Sequence, residues 1–280
     1  MGTSLKISVG QFDALEDKQH NLAAITKLAE AAAEEGSRVL IVPEGAMYHR
    51  ESATIAEGVA NAEAIDGPFV NHIRELSKRH GLFIAAGMSK IGRGADEGKR
   101  AINVLLLVDA GEIVEEYEKI HLYDAFSMRE SDSVVPGDGL PPVVDIDGIK
   151  VGFAICYDLR FPELFRVLAD RGAEVIALSA AWVRGVLKEE HWLTLLRARA
   201  IENTCYVFAS DEASGVSVGR SVIFDPLGVQ LGDAGEQKLA LITATASADR
   251  VRAVRGVVPS LRHRRFDVVH SVNSMTPDIR

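Results

Sequence analysis

The sequence predicts an α/β protein, in which strands and helices alternate along most of the chain. Short apolar runs of strand length recur between segments whose apolar residues follow helical spacing. Glycine and proline stand at many of the boundaries, as expected where helices begin and end. These patterns give roughly ten strands and about four long helices, an alternation typical of α/β folds. No linker or low-complexity stretch divides the 280 residues, so we expect a single domain, 1–280.

In the first half of the chain, proline and glycine indicate where the helices lie. One helix ends at Gly36, and a second begins at Pro68, since proline suits the first turn of a helix. The elements expected here are the strand Leu5–Phe12, a helix over 18–35, the strand Arg38–Pro43, a helix from Pro68 to Gly81, and the strands Leu82–Met88, Ala101–Val108 and Ile113–Glu118.

The second half of the chain follows the same alternation. Asp147 and Gly148 between two apolar runs predict a tight hairpin. The expected elements are the strands Val143–Ile146 and Ile149–Cys156, a helix from Pro162 to near Gly172, the strand Val175–Ser179, a helix over about Lys188–Asn203, and the strands Tyr206–Ser210, Ser221–Phe224 and Leu239–Thr245.

The charge balance disfavours a nucleic-acid partner. The net charge is −9 and the isoelectric point is near 5.4, whereas nucleic-acid binding requires a basic surface. The stretch from Arg250 to Arg265 is an exception, with six arginines and no acidic residue. For the C-terminal segment of about 250–280 we expect a solvated or interface-forming tail. A site for an anionic substrate or partner is the alternative.

The cysteines and the N-terminal segment favour a cytoplasmic protein. Two cysteines, Cys156 and Cys205, do not make a disulfide framework and suit a reducing compartment. The first twelve residues contain no apolar run that resembles a signal peptide, and no apolar stretch of about 18 residues occurs. We therefore expect no membrane association. Cys205, at the start of a strand, is expected to be structural.

Three chemically useful side chains follow strands of the predicted sheet. Glu44 follows the strand Arg38–Pro43, Lys119 follows the strand that contains Tyr117, and Cys156 ends another strand. In open α/β sheets, functional groups gather at the carboxyl ends of strands. After Cys156 the chain turns into a helix, which is the strand–turn–helix geometry of a nucleophile elbow.

Together these three side chains suit acyl-transfer chemistry. A thiol with an ordinary pKa of about 8.5 is mostly protonated at neutral pH, so it needs a base or a cationic neighbour. Glu44 is placed to accept the proton of Cys156, and Lys119 to stabilise an oxyanion with help from the backbone N–H of Tyr157. Taken singly, each residue has a common structural explanation, because buried cysteines mostly pack and most Glu and Lys side chains are solvated.

The sequence around these residues is more specific than their spacing. The blocks LIVPEGAM, YEKIHLYD and GFAICYDLRFPEL, around Glu44, Lys119 and Cys156, resemble the three signature blocks of the nitrilase, or carbon–nitrogen hydrolase, superfamily and occur in its order. The resemblance extends from the first strand to the DPLG turn at 225–228 and the RHRRFD segment near the end.

The resemblance implies a four-layer α-β-β-α sandwich of the nitrilase type and a Glu–Lys–Cys catalytic triad. By position, Glu44 would be the general base, Lys119 the oxyanion stabiliser and Cys156 the nucleophile. Glu130 matches a second glutamate that would brace Lys119. A substrate-binding backbone carbonyl is implied in the SAAW segment, at Ala180 or Ala181. The resemblance also implies homodimers or larger homo-oligomers.

Within the superfamily, the segments CYDLRFPEL and KIHLYD most resemble those of the Nit branch, the ω-amidase and deaminated-glutathione-amidase type. The resemblance therefore implies a cysteine-dependent hydrolase that converts a small anionic amide to a carboxylate and ammonia. Arg160, beside the nucleophile, would suit such an anion. Alternatives are an N-carbamoyl amine or amino-acid hydrolase, a true nitrilase, and a catalytically idle binding protein of the same fold.

Other motifs in the sequence are weaker. The segment Gly215 to Gly219 matches the motif G-x-S-x-G. A strand is expected after this segment, whereas a serine nucleophile elbow requires a helix after the motif. The histidines form no H-E-x-x-H motif, and neither of the common glycine-rich phosphate motifs occurs. We therefore expect no metal and no other cofactor.

Overall fold

The computed structural model describes residues 2–49 and 59–268 and contains two six-stranded sheets. The first half of the chain supplies β1 Ser4–Phe12, β2 Val39–Ile41, β3 Phe83–Ile91, β4 Ala101–Asp109 and β5 Glu112–Glu118. The second half supplies β6 Val143–Ile146, β7 Ile149–Ile155, β8 Val175–Ala180, β9 Tyr206–Asp211, β10 Val222–Phe224, β11 Gln230–Asp233 and β12 Leu239–Ser247. One sheet has the order β12-β1-β2-β3-β4-β5, and the other β11-β10-β9-β8-β7-β6.

Five α-helices lie wholly within the described ranges: α1 Lys18–Glu34, α2 Pro68–His80, α3 Pro162–Asp170, α4 Lys188–Asn203 and α5 Ala248–Val257. Asp17 caps α1 by accepting hydrogen bonds from two backbone N–H groups of the first turn. Gly81 ends α2 in the left-handed conformation, at φ 67°, which glycine adopts without steric cost. The Asp147–Gly148 turn also has positive φ at both residues, as a tight hairpin requires.

The two sheets pack face to face, with helices outside them. The larger apolar core fills the space between the sheets and continues to α3 and α4; between the sheets, Phe83 of β3 stacks on Phe153 of β7 at 5.8 Å between ring centroids. A second core lies between the first sheet and helices α1 and α2. On the other side, α3 and α4 pack against each other and against strands of the second sheet. The four-layer α-β-β-α arrangement is therefore confirmed.

The predicted elements are present, with bounds shifted by a few residues. Strand β11 and helix α5 are additional elements that the sequence patterns did not predict. Strand β11 is short and has no fully buried residue, so its sequence shows no apolar alternation. Helix α5 buries Ala248, Val251 and Val254 on one face, a helical spacing within the arginine-rich stretch.

The arginine-rich stretch packs against its own chain. Arg250 forms a salt bridge with Asp225, Arg255 donates to the carbonyl of Ala173, and Arg264 pairs with Asp170. Part of this segment is therefore a docked helix rather than a free tail. Residues 269–280 lie outside the described residues. The expectation that the segment of about 250–280 lies at an interface stays a prediction.

Within the described ranges, we find no helix with the length and apolar character needed to cross a membrane.

Candidate active site

The ends of strands from both sheets meet at one cavity of about 550 Å³. Glu44 follows β2 and Lys119 follows β5 in the first sheet, whereas Cys156 follows β7 and Ala181 follows β8 in the second. All four line the cavity. The predicted gathering of strand-end residues is therefore present, and it requires both sheets.

Lys119 lies between two carboxylates. Its Nζ donates to Glu44 Oε1 and to Glu130 Oε2, each at 2.8 Å. Glu130 Oε2 also accepts the backbone N–H of Tyr123 at 2.7 Å, which fixes the orientation of the second carboxylate. Glu130 thus contacts Lys119 as the resemblance implied, and the ammonium has little freedom to move.

Asn103, on β4, joins the same group, although the sequence analysis did not select it. Its Nδ2 donates to Glu44 Oε1 at 2.8 Å and to Glu130 Oε1 at 3.1 Å. A neutral donor between two carboxylates reduces their mutual repulsion without adding charge. Nothing in the local sequence distinguishes this asparagine from an ordinary polar residue on a strand.

The nucleophile candidate occupies a strained backbone position. Cys156 has φ 40°, in the left-handed region that residues with a side chain adopt at a cost of about 1–3 kcal/mol. Asp158 stabilises this turn, since its Oδ2 accepts from the backbone N–H of Ile155 and from the hydroxyl of Tyr117, each at 2.9 Å. Its Oδ1 lies 2.7 Å from Nδ1 of His121. The predicted sharp turn is present, and Asp158 is a supporting residue that the sequence analysis missed.

The charges at the site set its protonation state. Burial raises the pKa of Glu44, but the charge of Lys119 and hydrogen bonds from Lys119, Cys156 and Asn103 outweigh it, so this pKa lies below its ordinary value. Burial lowers the pKa of Lys119, but the charges of Glu130 and Glu44 raise it well above the ordinary value. The ammonium and the Glu44 carboxylate are therefore both ionised near neutral pH.

The thiol of Cys156 remains protonated in this environment. Burial and the negative charge of Glu44 raise its pKa well above the ordinary value, and the opposing effect of Lys119 is smaller. The resting pair is thus a neutral thiol and an ionised carboxylate at the same cavity. Such a pair can transfer a proton when the sulfur attacks an electrophile.

The backbone positions expected to bind substrate differ in their access to the cavity. Ala181 and Tyr157 line it, whereas Ala180 does not. The N–H of Ala181 donates to Glu44 Oε2 at 2.9 Å, and the carbonyl of Ala180 accepts from the N–H of Glu44 at 3.3 Å. Both alanines therefore hold the glutamate in place, and the side of the cavity next to the thiol is formed by Ala181 and Tyr157.

The weaker sequence motifs lie away from this chemistry. Ser217, within the G-x-S-x-G match, is buried, and the chain continues into strand β10 as expected. Cys205 is fully buried, which raises its pKa to about 12 and suits the structural role predicted for it. No residue of the stretch 250–265 lines the cavity. Among the residues described, we found no cluster of three or more His, Cys, Asp or Glu side chains placed to hold a metal.

The solved structures of other proteins include close matches to this fold. The C. elegans NitFhit protein superposes with a TM-score of 0.86 at 30% sequence identity, covering 95% of this chain and 66% of that chain. A mutant of the amidase from Nesterenkonia sp. AN1, with the acetamide moiety of fluoroacetamide added covalently at its active site cysteine, superposes with a TM-score of 0.78. Its sequence identity is 26%, over 94% of this chain and 95% of that chain.

Sequence comparison agrees with the structural matches. The deaminated glutathione amidase of Escherichia coli O157:H7 is 41% identical over 260 residues, which are 93% of this chain and 97% of that protein. A family model described as carbon-nitrogen hydrolase matches residues 6–256. The match spans both sheets and every residue of the site described above, so the chain belongs to the carbon–nitrogen hydrolase family and is a cysteine-dependent hydrolase that acts on amides.

Proposed function

We propose that this enzyme hydrolyses a terminal amide of a small anionic acid through a thioester on Cys156. Glu44 serves as the general base, Lys119 stabilises the oxyanion and Glu130 positions Lys119. The main support for the proposal is the position of Lys119 Nζ, 2.8 Å from the carboxylates of Glu44 and Glu130. Cys156 lines the same cavity. A fixed ammonium beside a strained nucleophile is the arrangement that acyl transfer needs.

In the first half of the reaction, Sγ of Cys156 attacks the amide carbonyl carbon while the Glu44 carboxylate accepts the thiol proton. The carbonyl oxygen becomes an oxyanion next to the Lys119 ammonium, and the Tyr157 backbone N–H is placed to assist. Glu44 then returns the proton to the nitrogen as the C–N bond breaks, which releases the amine or ammonia and leaves a thioester.

In the second half, Glu44 deprotonates a water molecule, which attacks the thioester carbonyl. The thioester then collapses, releasing the carboxylic acid and restoring the thiol. Water is the only co-reactant, because it provides both the oxygen of the acid and the protons, and no oxidation or reduction takes place. Glu44 therefore accepts and returns a proton in both halves. Its lowered pKa keeps the carboxylate ionised in the resting state, so that it is able to accept that proton.

Two leaving groups are compatible with this chemistry. The name of the Escherichia coli relative, a deaminated glutathione amidase, supports a substrate in which the amide nitrogen is part of a larger amine. A primary ω-amide such as succinamate would release ammonia instead. N-carbamoyl compounds and nitriles are the alternatives within the same family.

The experiment is a panel of primary ω-amides, deaminated glutathione, N-carbamoyl amino acids and nitriles, assayed for ammonia and for released amine. We expect hydrolysis of the amides by the wild-type enzyme and none by the Cys156→Ala variant. Intact-mass analysis after rapid quenching is expected to show an acyl adduct on Cys156. No turnover of any amide, equal turnover by the variant, or an adduct on another residue would refute the proposal.

We also propose a homodimer in the cytoplasm. The family resemblance supports the dimer, and two unpaired buried cysteines support a reducing compartment. Light scattering coupled to gel filtration is expected to give about twice the chain mass of 30.3 kDa. A monomeric mass would contradict the dimer. Cell fractionation tests the location, and recovery outside the cytoplasm would contradict it.

A further inference from the structure

Lys188 is a buried cation that the reaction described above does not use. It is the first residue of α4 and is only 3% exposed. It also lines the cavity that contains Cys156. A buried lysine at a catalytic cavity needs a partner, because removing an ammonium from water is costly.

Three aromatic rings surround the ammonium group of Lys188. Its Nζ lies 4.8 Å from the ring centroids of Tyr123 and Phe126 and 4.7 Å from that of Trp182. Ring faces attract a cation and fix its direction, but they accept little of its hydrogen-bonding capacity. The rings therefore orient the Lys188 ammonium but do not accept its hydrogen bonds.

The hydrogen bonds of Lys188 leave donors unused. An ammonium has three N–H donors, and one of them is directed to Tyr123 Oη at 3.0 Å. Over residues 2–49 and 59–268, no carboxylate oxygen lies within the 4.0 Å salt-bridge distance of its Nζ. By contrast, Lys119 at the other side of the same cavity contacts two carboxylates.

Among the charges that act on Lys188, the positive charge of Arg160 has the largest effect, and Cys156 and Asp211 oppose it with smaller effects. The guanidinium of Arg160 lies 4.9 Å from the ring centroid of Trp182, the same ring that Lys188 contacts. The N-terminus of α4 adds a partial positive charge. Burial and the charge of Arg160 lower the pKa of Lys188 from its ordinary value. An anion placed here would relieve the repulsion and satisfy the unused donors.

We propose that Lys188 binds the carboxylate of the amide substrate, so that it selects ω-amides of acids over neutral amides. This inference rests on the proposed function, since it assigns the charged end of that substrate. The amide end lies at Cys156 and Lys119, and the carboxylate end extends to Lys188. Lys188 is then a specificity-determining residue that is not needed for the chemistry at the carbonyl.

The test compares succinamate with succinamide, which has the same length but an uncharged second amide in place of the carboxylate. For Lys188→Met we expect kcat/KM for succinamate to fall about 10- to 100-fold, mainly through KM, the range for losing a hydrogen bond to a charged group. For succinamide we expect a change of less than about threefold. Lys188→Arg, which keeps the charge, should recover part of the loss.

The control variant is Lys78→Met, a change of the same kind on the exposed face of α2, outside the cavity. It should leave both substrates unchanged. If Lys188→Met lowers the two kcat/KM values equally, Lys188 only supports the aromatic residues. If it changes neither value, Lys188 does not contact the substrate. Both results overturn the proposal while leaving the amidase function intact.

A binding experiment separates this inference from failure of the proposed function. Succinate, the product of succinamate hydrolysis, should protect Cys156 from alkylation by iodoacetamide, and the concentration needed should rise at least about tenfold in Lys188→Met. This measurement does not depend on turnover. Equal protection in wild type and variant would refute the role of Lys188. Absence of amide turnover would refute the function instead.

Discussion

At the scale of single residues, the site contains one ammonium between two carboxylates and beside a neutral thiol. Lys119 compensates one of the two negative charges, and Asn103 donates a hydrogen bond to each carboxylate. The remaining negative charge raises the pKa of Cys156, after the larger effect of burial. The reactive thiolate is therefore expected to form during attack, by proton transfer to Glu44, rather than to exist beforehand.

This protonation state predicts an unusual pH dependence for alkylation of Cys156 by iodoacetamide. The alkylation rate of a free thiol with a pKa of about 8.5 rises about 75-fold between pH 6 and pH 8, as the thiolate fraction grows. The pKa of Glu44 lies below its ordinary value of 4.5, so this base is already ionised at pH 6. We therefore expect the Cys156 rate to change less than about threefold, measured by peptide mass spectrometry.

Glu44→Gln is the matched control for this measurement, since it keeps the shape of the side chain and removes the base. In that variant the rate should be lower at pH 7 and should rise steeply with pH. Cys205 does not interfere, because it is fully buried and its pKa is raised to about 12. A wild-type rate that follows the free-thiol curve would contradict base assistance by Glu44.

At the scale of elements, the side chains at strand ends could be predicted from the sequence, but those within strands that join the site could not. The fold class, helix α4 and the strand-end positions of Glu44, Lys119 and Cys156 were predicted, because apolar periodicity and glycine or proline boundaries are local signals. The roles of these three residues came from the family resemblance and stay predictions. Helix α5 was missed because its three arginines obscured a buried face of three small apolar residues.

Contacts between distant segments had no comparable signal. Asn103 lies within strand β4, and it joins the site only because β4 pairs with β3 and β5 near Glu44 and Glu130. Lys188 begins a helix as an ordinary polar residue would, and its aromatic neighbours come from two other segments, one with Tyr123 and Phe126 and one with Trp182. Such juxtapositions depend on tertiary packing, which periodicity in one sequence does not specify.

Strand β3 positions Glu44 through a close backbone approach. A Cβ atom at Gly87 would lie 2.0 Å from the carbonyl oxygen of Glu44 and 2.5 Å from its Cα. Real Cβ atoms do not approach backbone that closely, so the segment carrying Glu44 would have to move. Glycine is needed here for space, not for a left-handed conformation.

Gly87→Ala is therefore expected to lower kcat at least about 100-fold, because a shift of about 1 Å at a catalytic group can cost that much. Steady-state kinetics on an amide turned over by the wild type measures the effect. Gly139→Ala is the matched control, since a Cβ there meets nothing within 4 Å, and it should retain full activity. Activity of Gly87→Ala within threefold of wild type would show that β3 does not fix Glu44.

At the scale of the whole molecule, the residues of the candidate site are divided between the two sheets. Glu44, Asn103 and Lys119 belong to the first sheet or the loops after its strands, and Cys156 and Ala181 follow strands of the second. The hydrogen bond from Ala181 N–H to Glu44 and the bond from Glu44 N–H to Ala180 cross between them. The relative position of the sheets, set by the apolar core between them, therefore determines the geometry of the site.

Two buried phenylalanines allow this dependence to be tested, because they lie in different cores. Phe153 is in the core between the sheets, stacked on Phe83, and Phe69 is in the core between α2 and the first sheet. Replacing either by leucine should cost about 1–3 kcal/mol in the free energy of unfolding, measured by urea denaturation. Below the unfolding transition, Phe153→Leu should also lower kcat about tenfold or more, since it repacks the contact that aligns the sheets. Phe69→Leu should lose a similar amount of stability but keep kcat near the wild-type value. Equal losses of kcat in both variants would show that alignment of the sheets does not control the site.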